Sequence, residues 1–516
     1  MSELSRRTLL QATAGSLAAL ATTTTAAAPA AASGTRPPTA LRELEAKIRD
    51  GMAKYAIPGV GLGLLHHDFE YVTGFGVTDV DHPVPVDGDT VFRVASTTKT
   101  FTGTAVMRLV ERGRIDLDRT VRSYLPDFRT ADAAASARVT VREALNHSAG
   151  WLGDYFLDTG TGADALARYV DGMSQLPQLT APGKVFAYNN AALALAGRLV
   201  EVVTGEPYEQ AVRRLVTGPL GLGHSAFSLD EIPGASVAVP HLIDANGEAV
   251  AQPAYFAIPR GLNPAGGLIS SARDQLRWAR FHLGDGGRLL SARSMHLMQS
   301  HPGPGGTLFV ELDGVGVTWL LRPTAEGPKV VQHGGDWTGE HSGFLMVPER
   351  GFALTVLTNS EGGPALLADL FADDWALRLF AGVHNLPAVP RALPADALAA
   401  FTGTYTVEQV GFDGVLVTGQ AELVADAGQL SVRSGDEELA RLAFYRKDYV
   451  LILAPDGTDS HSRANFVRGA DGQVAWLRLG GRLYRRGTAA PLRAGAPQLK
   501  PPAMIPATLP HPKTAG

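Results

Sequence analysis

Apolar positions along this chain recur first with helical spacing and then with strand spacing. Over Leu41–Ala53 they return every three to four residues, which predicts an amphipathic helix. The runs Pro58–Leu65 and Tyr71–Val77 read as paired strands around a His66-His67-Asp68 turn. Helical periodicity takes over at Ser96–Arg112, Val141–Asn146, Ala191–Val203 and Ala272–Leu283. Strand-like runs return at Gly314–Arg322, Lys329–Gln332, Gly343–Val347 and Phe352–Asn359, with a further helix expected over Ala365–Ala381. Two early strands and several late ones thus enclose a mostly helical middle. That order predicts a mixed α/β (α+β) body whose sheet draws on both ends of the chain.

The pattern changes at Asn385–Pro394, a Pro-rich stretch that marks a linker over 385–396. Beyond it, short alternating runs at Gly403–Val410, Ala421–Ala425, Gln429–Val432, Tyr449–Leu453 and Val474–Leu479 are separated by turns, among them Asp456-Gly457 and Asp471-Gly472. These predict a small antiparallel β domain over 397–487, closed or nearly closed into a barrel. The Pro- and Ala-rich segment 488–516 reads as an untethered tail, leaving 34–384 for the larger body.

Composition agrees with two folded units. The chain has 516 residues, 45% of them hydrophobic and 19% charged, enough to bury a substantial core. A formal net charge of −5 without a long basic run argues against nucleic acid or an anionic membrane surface as partner. The complete lack of cysteine removes disulfides, thiolate metal sites and a cysteine nucleophile together. At the start, Ser5-Arg6-Arg7-Thr8-Leu9-Leu10 is a twin-arginine pattern, followed by a weakly apolar stretch to Leu20 and an alanine-rich run to Ala32. Residues 1–33 are therefore expected to be an export signal, cleaved near Ala28–Ser33, and no segment is apolar enough to span a bilayer.

Candidate chemistry centres on Ser96-Thr97-Thr98-Lys99, the single S-x-x-K of the chain. An apolar approach (Val91–Ala95) and a buried-looking continuation (Val106, Met107, Leu109, Val110) put Ser96 at the start of a buried helix, where free N–H groups favour an oxyanion. Residues three apart share a helix face, so Lys99 points at the Ser96 hydroxyl. A serine needs an adjacent base, and lysine serves only if burial and nearby positive charge hold it neutral part of the time. Tyr188-Asn189-Asn190, the single Y-x-N, follows a turn and precedes a helix. There Tyr188 could relay a proton, and Asn190 could hydrogen-bond Lys99 and a substrate amide. His333-Gly334-Gly335 ends a strand-like run at an edge where glycine lets a substrate backbone approach, with His341 in reserve.

These motifs, in this order, resemble those of the serine β-lactamase and penicillin-binding-protein superfamily, and more narrowly its class C β-lactamase, DD-carboxypeptidase and esterase branch. Phe92–Ser96, Thr140–Gly150, Gly218–Leu222 and Ala265–Leu268 carry the likeness further, over about Leu41 to Ala381. The resemblance implies an antiparallel sheet flanked by helices and an acyl-enzyme on Ser96. It also implies proton handling by Lys99 and Tyr188, and an oxyanion held between the backbone N–H groups of Ser96 and Asp336. The β domain is similar to the lipocalin-like domain of some D-aminopeptidases and peptide cyclases of that superfamily, where it contributes to the substrate cleft. The sequence departs from the β-lactamase pattern at His333, where those enzymes usually carry lysine; histidine belongs to peptidase-like members. The expected partner is thus a small-molecule or peptide substrate, without cofactor or metal, and the oligomeric state stays open. Hydrolysis of D-amino-acid peptides or related esters leads. A peptide cyclase, thioesterase or acyltransferase is the alternative, followed by a β-lactamase or a non-catalytic sensor.

Three further segments read as structural. Gly223-His224-Ser225 lacks the closing glycine of a nucleophile elbow, His66-His67-Asp68 has no companion ligands, and His147-Ser148 suits packing at a helix end.

Overall fold

The computed structural model describes residues 39–300 and 303–487. The expected leader (1–33) and tail (488–516) lie outside the described residues. Helix α1 (Thr39–Lys54) precedes strands β1 (Gly59–His66) and β2 (Phe69–Gly76), joined by the expected turn at His67-Asp68. Helices α2 (Thr98–Glu111), α3 (Val141–Leu145), α4 (Asn190–Thr204) and α5 (Ala272–Leu283) follow. Strands β3 (Gly314–Val315), β4 (Leu320–Arg322), β5 (Val330–Trp337), β6 (Glu340–Val347) and β7 (Phe352–Thr358) come after them. The main sheet is antiparallel with order β2-β1-β7-β6-β5-β4-β3, so both chain ends do build it.

The central strands are buried on both faces and divide the hydrophobic core between them. On β7, Leu354 and Val356 pack with Val60, Leu62 and Leu64 of β1 under Leu44 and Ile48 of α1. The alternate residues, Ala353 and Leu357, face Phe101 of α2 and Trp278 of α5. Gly63 of β1 lies where a Cβ would stand 3.0 Å from the Ala272 carbonyl, so its lack of a side chain lets α5 settle on the sheet. Caps set the helix starts: the Thr140–Glu143 capping box opens α3, and Asn189 accepts the Ala192 N–H at 2.8 Å to open α4.

The second unit is a closed eight-stranded antiparallel barrel: β8 (Gly403–Val410), β9 (Leu416–Asp426), β10 (Gln429–Ser434), β11 (Glu437–Arg446), β12 (Tyr449–Leu453), β13 (Asp459–Arg468), β14 (Val474–Leu479) and β15 (Arg482–Arg486). Its interior is filled by Phe401, Tyr405, Phe444, Ile452, Phe466 and Leu477, among others. Closure removes every edge that a free β domain would expose.

Several boundaries differ from expectation. The run Gly314–Arg322 is two short strands parted by a turn with Thr318 at φ 65°. The helix expected over Ala365–Ala381 is regular α-helix at Gly363–Leu367 and again only at 375–376. Two wider turns, Ala368–Ala372 and Leu377–Ala381, follow, with Asp374 at φ 55° breaking the rod so that Leu366, Leu370 and Leu377 all reach the sheet. The helix expected from Ser96 becomes a 3₁₀ turn, Ala95–Thr97, running into α2. Most consequentially, the strand expected to stop at Gln332 runs on to Trp337, because the whole His333–Trp337 stretch pairs with Glu340–Phe344 of β6.

Candidate active site

Ser96 sits on the 3₁₀ turn leading into α2, half-exposed, while its neighbours Ala95 and Thr97 are buried. Ala95 is held at φ 44°, a left-handed conformation that costs a non-glycine residue about 1–3 kcal/mol and persists because the surroundings fix it. The fixing groups are on β6: Ser342 donates its hydroxyl to the Val94 carbonyl at 2.8 Å and lies 3.0 Å from the Thr97 hydroxyl. Strand β5 passes immediately beside this turn. A Cβ on Gly335 would meet the Val94 carbonyl oxygen at 2.0 Å and the Ser96 nitrogen at 2.9 Å, so only glycine fits there. Strand β4 covers only Val330–Gln332 of β5, leaving the His333–Trp337 half flanked by β6 on one side alone.

Lys99 is fully buried and donates to the Ser96 hydroxyl at 2.8 Å and to the Ala265 carbonyl at 2.6 Å. Burial, reinforced by the Arg482 guanidinium and opposed by Asp154, holds its ammonium well below the usual lysine range. Burial and nearby positive charge, the two influences a lysine base requires, both act on Lys99, and the positive charge comes from the barrel.

Tyr188 is buried, and burial pushes its phenol above the ordinary tyrosine value although the Ser96 hydroxyl draws it back. It stays protonated at neutral pH, whereas Lys99 is driven toward its free amine. Two neighbouring groups with titrations pushed apart in this way divide the work: one can take a proton, the other can pass one on. The Tyr188 ring stacks on His147 at 4.5 Å, and His147 Nδ1 accepts the Asn189 N–H at 3.0 Å. His147 is thus the packing residue expected of it, and it also orients Tyr188. The Tyr188 N–H donates to the Gly481 carbonyl, in the β14–β15 turn, at 2.9 Å.

Asn190 differs from expectation. Its amide donates to Asp154 Oδ1 at 2.8 Å, and Lys99 takes the Ala265 carbonyl in its place. The Asp154 carboxylate, a strong acceptor, holds the Asn190 N–H, while Lys99 directs its own donors to Ser96 and Ala265. Asp154 in turn accepts from Arg482, Nε at 2.9 Å and Nη2 at 3.2 Å.

His333 is buried on β5, its ring centroid 6.2 Å from that of Tyr188. Burial and the Lys99 charge lower its imidazole to about 3, so it is neutral. Nδ1 lies 2.7 Å from the Gly334 carbonyl and therefore carries the proton, leaving Nε2 a buried acceptor without a partner among the described residues. Asp336 turns its side chain out to solvent and pairs with His341 at 2.7 Å across β5 and β6. His341, the reserve candidate, lies on the sheet face opposite Gly335 and is packed against Gly363.

The other segments have settled roles. The Ser225 hydroxyl is buried against Asp274 (2.9 Å) and Ser270 (2.9 Å), far from any nucleophile elbow. The structure adds Asp154, Gly481, Arg482 and the Ala265 carbonyl to the residues motif reading brings forward. The Gly480-Gly481 pair closing the Val474–Leu479 run is a hairpin signal that would have revealed β15; nothing local connects it with Tyr188.

A family model described as Beta-lactamase matches residues 44–377. Penicillin-binding protein 4 of Amycolatopsis lactamdurans is 34% identical over 366 residues, covering 69% of this chain and 94% of that protein. Protein flp of Staphylococcus aureus (strain MW2) is 23% identical over 340 residues, 64% of this chain and 65% of its own length. The structure of SurE with D-Leu aligns at TM-score 0.67 and 25% identity, covering 87% of this chain and 99% of that one, a span that extends into the barrel. The octameric penicillin-binding protein homologue from Pyrococcus abyssi shares the fold at TM-score 0.58 and 24% identity, covering 82% and 99%.

Proposed function

The chain belongs to the Beta-lactamase family, the penicillin-binding-protein type of serine hydrolase, and on that footing we propose that it forms an acyl-enzyme on Ser96 and cleaves amide or ester bonds of D-amino-acid peptides or related acyl compounds. The observation that carries this reading is the 2.8 Å contact between Ser96 Oγ and a fully buried Lys99 Nζ. Lys99, its ammonium disfavoured by burial, takes the serine proton as Oγ attacks a carbonyl. Tyr188, still protonated, passes its proton to the leaving group and is restored by the proton that Lys99 took from Ser96. The developing oxyanion is received by the backbone N–H groups of Ser96 and Asp336, which the close passage of Gly335 brings near each other. Water then releases the acyl group, and an amine in its place would give acyl transfer.

His333 supports a peptide or ester over an antibiotic. A lysine at this position would offer a fixed charge to a β-lactam carboxylate. The neutral imidazole offers an acceptor instead, suited to an N–H of a substrate backbone lying along β5. The bound D-Leu in the SurE structure, whose likeness takes in the barrel, supports a D-residue at the scissile bond. The twin-arginine pattern and the penicillin-binding-protein relative support export, and no helix among the described residues is long and apolar enough to cross a membrane.

Two measurements test the proposal. A fluorophosphonate should add to Ser96 by mass spectrometry, and a panel of D-Ala-D-Ala peptide, D-amino-acid amides, their L-epimers, short-chain esters and a cephalosporin should show D over L by at least ~10-fold, the order a shaped pocket supplies. An adduct elsewhere, or a cephalosporin as the best substrate, would refute it. Gly335→Ala is expected to lower kcat/KM at least ~100-fold, since an added Cβ must push β5 off the Ser96 turn and misplacement by about 1 Å costs about that much.

A further inference from the structure

We infer that Arg482 of the barrel and Asp154 of the catalytic body, an ion pair joining the two units, are positioning residues that set the charge balance around Lys99 and the pose of Tyr188 and Asn190, so that the barrel completes the acylation site. The inference rests on the serine-hydrolase reading and goes beyond it by assigning the pair a role in the same reaction.

The geometry is continuous. Arg482 opens β15 and grips Asp154 with two nitrogens, while its Nη1 donates to the Gly480 carbonyl at 2.9 Å. The backbone of Asp154 is bound by the same barrel, its carbonyl accepting the Val410 N–H at 2.8 Å. From the Asp154 carboxylate the chain of contacts runs to Asn190, at the start of α4. The Arg482 guanidinium lies 4.8 Å from the Tyr188 ring centroid, and Lys99 Nζ lies 5.0 Å from that centroid. The catalytic amine and a permanent cation thus lie against the same aromatic ring.

The groups facing Lys99 from every side can be named. Tyr188 ahead of α4, His147 after α3 and His333 on β5 are all neutral near pH 7, each held so by burial. The charges acting on Lys99 are then those of Arg482 and Asp154, with opposite signs. Asp336, exposed on β5, acts on Arg482 and Tyr188. A charge about 10 Å away at an effective dielectric of about 20 moves a titration by on the order of one pH unit. Two partners of opposite sign should move it in opposite directions, which a purely mechanical clamp would not do.

The test is the pH profile of kcat/KM on an uncharged chromogenic ester. Its acidic limb reports the proton on Lys99 in the free enzyme. Arg482→Gln removes a cation, so the limb should move up by on the order of one pH unit. Asp154→Asn keeps an acceptor for Asn190 but unmasks the guanidinium, so the limb should move down by a similar amount. The double variant should return close to wild type, and Arg482→Lys should hold the wild-type limb even where kcat falls. The pH dependence of fluorophosphonate addition to Ser96 gives the same readout without turnover. Circular dichroism and Tm confirm that each variant is folded.

Limbs that stay put, or that move the same way in both single variants, overturn the inference. So does an unchanged ester profile with a raised KM only for carboxylate-bearing substrates, which would make Arg482 a substrate ligand. A wild-type protein that neither turns over the ester nor labels at Ser96 would refute the hydrolase reading itself.

Discussion

Ser96→Ala should lower kcat/KM for a chromogenic ester by about 10⁴- to 10⁶-fold, the loss seen when a serine nucleophile is removed from an otherwise intact site. The size of the effect follows from what the variant leaves in place. Lys99 keeps its Ala265 carbonyl and Tyr188 keeps its His147 stack, so binding and orientation survive while bond formation does not. Stability should change little. Ser96 is half-exposed, and a single hydrogen bond of this kind contributes about 1 kcal/mol. Steady-state kinetics beside a thermal melt separate the two. More than about a hundredth of wild-type activity in a variant of unchanged Tm would place the nucleophile elsewhere.

Much of this site is legible in sequence because its motifs are local. Ser96 and Lys99 are one helical turn apart, so spacing alone predicts their contact, and the 2.8 Å separation follows. The order of Tyr188 and His333 after them, with the family likeness, brings the remaining groups together. What stays hidden is set by distant sequence. Arg482 and Asp154 stand 328 positions apart, and no local pattern relates them. The strand-like run in the sequence stops at Gln332; Gly334, Gly335 and Asp336 are poor strand formers, and register with β6 rather than propensity carries β5 on through them. In the barrel, β11 and β13 are poorly legible in sequence because charged residues such as Glu437, Glu438, Asp459 and Arg468 interrupt their alternation at the ends. Closure of the barrel supplies the pairing that propensity does not.

On the proposed reading, the same long-range contacts tie the catalytic chemistry and the barrel into one device. A buried lysine without a carboxylate bonded to it is unfavourable for folding and useful for catalysis, and Lys99 is such a residue. The body that holds it must be over-determined. Ser342 of β6 bonded to the nucleophile turn, Asn189 capping α4 and the barrel's hold on Tyr188 and Asp154 supply that rigidity from three directions.

Lys99→Met makes this tension measurable. Methionine is an unbranched side chain of similar length that cannot accept a proton, so kcat/KM should fall at least ~10³-fold, within the range assigned to a positioned base acting on a serine. Stability should respond with a defined sign. Burial depresses the Lys99 titration in the folded protein, while the unfolded chain keeps a value near 10.4. Between those two values the unfolded state binds the extra proton, so wild-type stability rises with pH. The variant lacks this dependence. Its Tm relative to wild type should therefore rise as pH falls from about 10 toward the folded value of Lys99, whatever constant offset the orphaned Ala265 carbonyl introduces. Parallel melts of the two proteins from pH 6 to 10 read it directly. A constant difference across that range would mean that Lys99 titrates normally when folded, and the assignment of a neutral amine as the base for Ser96 would fall with it.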